Sequence, residues 1–413
     1  MTGVLASLPS VAFAMSYERL DVDAVVDSSW TLKAEFPSMS DADDVVGDTS
    51  ERFPSGFKYS SDGTRGLAYD AGRASFLVLD ADAGGDGDVR YIASGERAYD
   101  WCFAPGRADA FASSSRDTPV TVRKTSDGTT VASYRSYNDA DEIVAACGVS
   151  YVDGASKIAC GLSGRVDVFD SERPGRDPAA VVQTKPTSDT LGQHGLISCV
   201  DQCPGDGNLF ACGSYAKQGQ LDCGVYDLRV NTCALSWSAG GSGVTQVKWS
   251  VDGNFLYVAS RKSEYITCVD VRNTGQALYR LERSTSGTNQ RVAFDIEPCG
   301  AHLVTGGADG QLRIFHLQKG EEKQKVPIAA QSMCVNSFAF HPYACASSEK
   351  LAPLGGARCA VTVGQRIFPG AVYSSDSDSE TDSSSDSSSH SEEILNAFGV
   401  RLYNYSTSVV SYD

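Results

Sequence analysis

Ten residues of this chain have the chemistry to grip a nucleic acid: Arg116, Tyr215, Lys217, Arg261, Lys262, Asn289, Gln290, Arg291, Gln365 and Arg366. Guanidinium and ammonium groups pair with phosphates, and Arg also forks onto guanine edges. Asn and Gln read base edges, and a Tyr ring stacks on an unpaired base. That mixture suits a short single-stranded RNA better than a uniform duplex. Taken singly, each is an ordinary loop residue, solvated or paired with a nearby acid such as Asp117, Glu264 or Asp309. Their weight depends on whether the fold brings them to one face.

No catalytic arrangement competes with this reading. The sequence has no GxSxG, no HExxH and no Walker loop. The 13 Cys are odd in number and contain no CxxC pair. Most, such as Cys102, Cys160, Cys199, Cys212 and Cys268, fall inside expected strands. Buried free thiols in a reducing compartment explain that better than disulfides or zinc. The five His are scattered singly. We therefore expect a non-enzymatic protein with no cofactor and no metal, acting by positioning.

The elements that carry these residues are short alternating runs. Val292 to Ile296, Leu303 to Thr305 and Leu312 to Phe315 are divided by Pro298-Cys299-Gly300 and by Gly306 to Gly310. Period-two alternation punctuated by Gly and Asp reads as an antiparallel meander. One such meander cannot bury its faces alone, and the chain supplies copies. First strands begin near Gly56, Tyr99, Ile143, Leu196, Val244, Val292 and Asn336, at steps of 43 to 53 residues. WD-repeat blades recur at roughly 40–45 residues. A turn follows at one phase in the first six: Ser61-Asp62-Gly63, Ala104-Pro105-Gly106, Val152-Asp153-Gly154, Cys203-Pro204-Gly205, Val251-Asp252-Gly253 and Pro298-Cys299-Gly300. The expected fold is all-β, a seven-bladed WD-repeat β-propeller. Its seventh blade takes Phe338 to Pro342, Arg358 to Val363 and Val400 to Tyr405, and is closed by Trp30 to Phe36 from the other end of the chain.

Charge marks out the remainder. The formal net charge is −17, of which −7 lies in residues 1–50 and −7 in residues 374–393. The body is thus only mildly acidic and open to a polyanion. We read residues 1–29 as a disordered acidic leader, 30–36 as the closing strand and 37–51 as an acidic link. Residues 52–373 form the blades, 374–393 a Ser/Asp/Glu insert within blade seven, and 394–413 the final strand and tail. The insert has too little apolar surface to offset its ordering entropy. Ser377 and Ser379, flanked by acids, are candidates for an acid-directed kinase. No apolar run is long enough for a membrane-spanning helix.

In such a propeller, loops between second and third strands share a face with loops between blades. Arg116, Tyr215, Lys217, Arg261, Lys262, Asn289, Gln290, Arg291, Gln365 and Arg366 all fall there. The same face would also serve a peptide-binding adaptor, such as a ubiquitin-ligase subunit or ribosome-assembly scaffold.

Several segments carry a more specific likeness. Thr288-Asn289-Gln290-Arg291-Val292-Ala293-Phe294-Asp295 and Gly364-Gln365-Arg366-Ile367-Phe368-Pro369, with Ala112 to Pro119, Tyr137 to Glu142, Arg173 to Asp177 and Ala211 to Tyr215, resemble the telomerase Cajal body protein family. They occur in the family's order across roughly residues 52–405. The resemblance implies a scaffold that recognises a short element of small Cajal-body or box H/ACA-type guide RNAs, and telomerase RNA in some lineages. It further implies contacts with box H/ACA ribonucleoprotein components and folding by the cytosolic chaperonin. Localisation would be nuclear, in Cajal bodies or their equivalent, with a cytoplasmic share, and neither DNA nor membrane would be a partner.

Overall fold

In the computed structural model the alternating runs pair into seven four-stranded antiparallel sheets, arranged as the blades of a propeller. The structure describes residues 29–36, 54–80, 89–273, 277–329, 331, 333–345, 359–364 and 399–406. The expectations at Gln365, Arg366, Ser377 and Ser379 lie outside these residues. The inner strands are Pro54–Tyr59, Ala98–Phe103, Gly148–Val152, Leu196–Gln202, Val244–Trp249, Phe294–Ile296 and Val335–Phe340, for blades 1 to 7 in turn. Blade 7 continues through Cys359–Val363 and Gly399–Ser406, and its outer strand is Ser29–Phe36, with Trp30 opposite Tyr405. A strand from one end of the chain thereby covers the edge left by the other.

Two boundaries differ from the sequence expectation. Ile143–Val144 is not the start of blade 3; it pairs with Ser136–Tyr137 in a separate two-stranded ribbon. Asn138 makes the turn of that ribbon, accepting from the Ala140 and Glu142 amides on its side-chain oxygen. The local Asx turn takes the segment that the repeat period assigns to a blade. In blade 6, Val292 stays off the ladder, which begins at Phe294.

The core is seven clusters, one per seam between neighbouring blades. Blades 1 and 2, for example, share Leu67, Tyr69, Phe76 and Val78 with Trp101, Phe103 and Phe111. Blades 6 and 7 share Val304, Leu312 and Ile314 with Phe338, Phe340 and Val361. Each fully buried large apolar side chain contributes roughly 1.5–3 kcal/mol, and these clusters draw on the inner three strands far more than on the outer ones, which are largely exposed, as in Glu321–Pro327. Asp at the end of the third strand makes the turn: Asp170, Asp227 and Asp270 each accept from the amide two residues on.

An inner strand has a ladder on one edge only, and its other edge needs partners. Asp100 accepts from the Val149 amide, Asp201 from Trp249 and Asp295 from Phe340, at 2.8–2.9 Å, each reaching into the next blade. Gln246 exchanges two hydrogen bonds with the backbone of Phe294. Lys58 bridges to Asp100 at 3.2 Å, and Lys248 bonds Asp295. These side chains line the central channel as a charged girdle. Burial pushes the Asp201 carboxyl up to about 6, against the pull of Lys248. Burial works against Lys248 as well, but Asp295 and Asp201 outweigh it and hold its ammonium above the usual range.

The seam between blades 7 and 1 has a further lock. His341 is fully buried; its Nδ1 accepts from the Tyr343 amide, and its Nε2 donates to the Gly63 carbonyl at 3.2 Å. Gly63 has φ of +72°, and a Cβ there would sit 2.1 Å from His341 Nε2.

Two outcomes follow. Gly63→Ala meets both a left-handed backbone and a steric clash, so it should cost more than about 2 kcal/mol in denaturant unfolding. A loss within about 0.5 kcal/mol would show that the seam is not close-packed. Asp201 titrates higher folded than unfolded, so its contribution is present below the unfolded value near 4 and is lost as pH rises through about 6. Wild type should therefore fall in stability relative to Asp201→Asn between about pH 4 and 6, by at most roughly 3 kcal/mol. Parallel pH profiles of the two proteins would contradict the burial argument.

Candidate nucleic-acid interface

Five inner strands carry an irregularity in register at the same end. The extra residues are Ser55-Gly56, Tyr99, Ser198, Thr245 and Asn336. A bulged residue loses its place in the ladder and leaves a carbonyl seeking a donor. Two of these carbonyls are met by one side chain, Arg291. Its Nη1 donates to Tyr99 O at 2.9 Å and its Nη2 to Ser198 O at 3.1 Å, so a residue of blade 6 reaches the inner strands of blades 2 and 4. A third carbonyl, Asn336 O in blade 7, accepts from the Ala293 amide at 2.8 Å. The Asn336 side chain takes a bond from Gln290 Nε2 at 2.7 Å. The segment before blade 6 therefore ties four blades together at one mouth of the channel.

Tyr215, at the end of the second strand of blade 4, is the other centre of this knot. Its hydroxyl accepts from Arg291 Nε and Nη2, at 3.2 and 2.7 Å, and from Arg261 Nη2 at 3.1 Å. Arg261 also sits over the ring, its Cζ 4.5 Å from the centroid. A cation over an aromatic face is favourable, more so when water is partly excluded. Arg261 Nε has no hydrogen-bond partner. Burial works against the Arg291 charge, but Tyr215 and Asp100 outweigh it and keep the guanidinium above its usual range.

Sequence reasoning missed Arg283, which supports both arms. It is buried, and donates to Val292 O at 3.0 Å and Ser260 O at 3.1 Å, fixing the residues beside Arg291 and Arg261. Burial pulls its guanidinium down to about 10, still charged at neutral pH. Its only sequence signal is an Arg at the end of an outer strand, which gives no hint of an inward side chain.

The channel below this mouth holds about 940 Å³ and is lined by the inner strands of all seven blades. Around the mouth the expected residues divide. Tyr215, Arg261, Gln290 and Arg291 are brought together and half-buried. Lys217, Lys262 and Asn289 are exposed, and each lies within two residues of the knot along the chain. Lys262 takes a left-handed backbone, φ +50°, in the turn after blade 5's second strand. Arg116 stands apart on blade 2, exposed and 3.4 Å from Asp117.

Comparison of the sequence with known proteins places the chain in a family. A family model described as a lactonase, seven-bladed β-propeller, matches residues 217–330. The chain is 32% identical over 298 residues to telomerase Cajal body protein 1 of Bos taurus, covering 70% of this chain and 51% of the relative. It is 29% identical over 386 residues to the Mus musculus protein of the same name, covering 88% and 68%. A Schizosaccharomyces pombe protein named guanine nucleotide-binding protein negative regulator 1 is 28% identical over 211 residues, covering 50% and 52%. The chain spans about half the length of several of these relatives. The chain belongs to the telomerase Cajal body protein family.

Proposed function

We propose that this protein is a non-catalytic scaffold that binds a short single-stranded element of small Cajal-body or box H/ACA-type guide RNAs, telomerase RNA among the candidates, at the mouth held by Tyr215 and Arg291. It directs those particles to Cajal bodies or an equivalent nuclear site, with a cytoplasmic pool during folding by the chaperonin. Box H/ACA ribonucleoprotein components are its protein neighbours. The observation that carries the reading is the Arg261–Tyr215 cation–π contact, with Lys217, Lys262 and Asn289 exposed beside it.

The geometry supports distinct roles. Lys217 and Lys262 hold phosphates as point charges. Arg261 offers its outer plane to a base, since guanidinium planes stack as aromatic rings do. Asn289 reads a base edge. Tyr215 and Arg291 are positioning residues here, because their polar atoms already bond protein groups. The names of the relatives support the RNA-particle reading over a peptide adaptor. The lactonase description adds fold support alone, and no nucleophile–base pair stands at the mouth among the described residues.

The test is to cross-link the protein in cells, sequence its RNA, and measure the most enriched fragment against purified protein at several salt concentrations. Lys217→Ala with Lys262→Ala should weaken binding and flatten the log–log salt slope by about 1.4, two contacts at ~0.7 each. Box H/ACA-type RNA in the wild-type sample, lost in the variant, supports the scaffold and its site. An unchanged slope moves the site elsewhere. RNA no higher than background, with peptides recovered instead, would falsify the RNA reading. Arg291→Met should separately cost about 2–4 kcal/mol in stability, because it strands two part-buried carbonyls, Tyr99 O and Ser198 O, and that loss should appear with no RNA present.

A further inference from the structure

On the opposite end of the blades, two thiols and a carboxylate converge. Of the thirteen cysteines only Cys299 and Cys345 are exposed; the other eleven are buried or half-buried. Free cysteines are among the residues most often fully buried, so a facing pair in water needs a reason. Cys299 sits in the turn after blade 6's inner strand, and Cys345 in the turn after blade 7's. The two are 46 positions apart in sequence. Their sulfur atoms lie within 4.8 Å of each other. Glu297, itself only 8% exposed, offers an oxygen to the same point, and the three donor atoms lie within 4.8 Å of one another.

The carboxylate is held in place. Its Oε2 accepts from His302 Nδ1 at 2.6 Å, and His302 Nε2 accepts from the Lys323 ammonium at 3.2 Å. That second contact fixes the imidazole tautomer with its proton on Nδ1, facing Glu297. The turn is also pinned by backbone bonds: Gly300 N to Glu297 O at 2.7 Å and Glu297 N to His302 O at 2.8 Å. A carboxylate oriented by a second group is the usual outer support of a metal ligand.

We propose that Cys299, Cys345 and Glu297 form a zinc site that staples blade 6 to blade 7, with His302 as the positioning residue for Glu297 and water in the fourth place. Two thiolates and one carboxylate suit Zn²⁺, whose bonds of about 2.3 Å to sulfur and 2.0–2.2 Å to oxygen need donors about 3.5–3.8 Å apart in a tetrahedron. Side-chain rotations within the observed spacing reach that separation. Harder cations prefer all-oxygen shells, so Mg²⁺ and Ca²⁺ do not fit. Binding releases the thiol protons to solvent and involves no redox step.

The test uses the full chain, purified and reduced, with Zn²⁺ added against a chromophoric chelator. We expect one zinc per chain, and an affinity at least about 100-fold weaker in Cys299→Ser with Cys345→Ser. His302→Gln should weaken it about 10-fold or more. Co²⁺ in place of zinc should show thiolate charge-transfer bands that the double variant lacks. In the wild type, where no folding question arises, zinc should protect Cys299 and Cys345 from alkylation. Sub-stoichiometric binding, unchanged affinity in the double variant, or a Cys299–Cys345 disulfide persisting in the reduced protein would each overturn the proposal.

Discussion

An inner propeller strand is paired on one side only, and nearly everything distinctive in this protein answers that constraint. Its free edge faces the channel, where an unmet amide or carbonyl costs as much as a lost hydrogen bond. The next blade cannot continue the ladder, because the blades splay about the axis. Side chains must do so instead. Asp100, Asp201 and Asp295 take amides of the following blade. Gln246 takes both an amide and a carbonyl. Lys58 and Lys248 then balance the acids. The girdle is a hydrogen-bonding device first, and its charge is a consequence of the side chains able to reach.

Arg291 extends the same logic to the bulges. A bulge adds twist and frees a carbonyl, and free carbonyls at one end of a ring point toward a common centre. A guanidinium presents several donors in one plane, so one Arg serves blades 2 and 4 while holding Tyr215. A Lys there would be a point charge with no fixed plane. Once Arg291 faces inward, Tyr215 is held, and Arg261 has a ring to lie on. The proposed contact surface is thus assembled from the inside: buried polar satisfaction sets the platform, and the exposed Lys217, Lys262 and Asn289 surround it. A platform fixed before binding loses less freedom when a ligand arrives, which suits a scaffold that supplies affinity without chemistry.

How much of this the sequence showed depends on the range of each interaction. Blades and turns are local, so alternation and the repeated Gly turns revealed them, including the closing strand near Trp30. Ile143 misled because Asn138 makes its own turn within a few residues, and a repeat period carries no information about such a competitor. The segment Asn289-Gln290-Arg291 was legible as special but not in direction. Its partners Tyr99, Ser198 and Asn336 lie far off in sequence, and a bulge leaves no residue signature. Arg283 was invisible for the same reason. Cys299 and Cys345 defeat any search by spacing, since only the stacking of blades 6 and 7 brings them together.

That stacking also explains why the two ends of the propeller differ. At one end the bulged strands converge, and interior hydrogen bonds reach across the channel from blade 6 to blades 2 and 4. At the other, among the described residues, each turn meets its immediate neighbour, as His341 meets Gly63 and Glu297 lies beside the turn holding Cys345. A cross-channel tie resists changes in the ring's diameter; a neighbour tie resists the opening of a single seam. Blade 7 most needs the second kind, because its strands come from both ends of the chain and its second and third strands are separated by residues 364–398. Locks on both its flanks, His341 toward blade 1 and the Cys345 cluster toward blade 6, stand where the chain's own connectivity gives the ring least support.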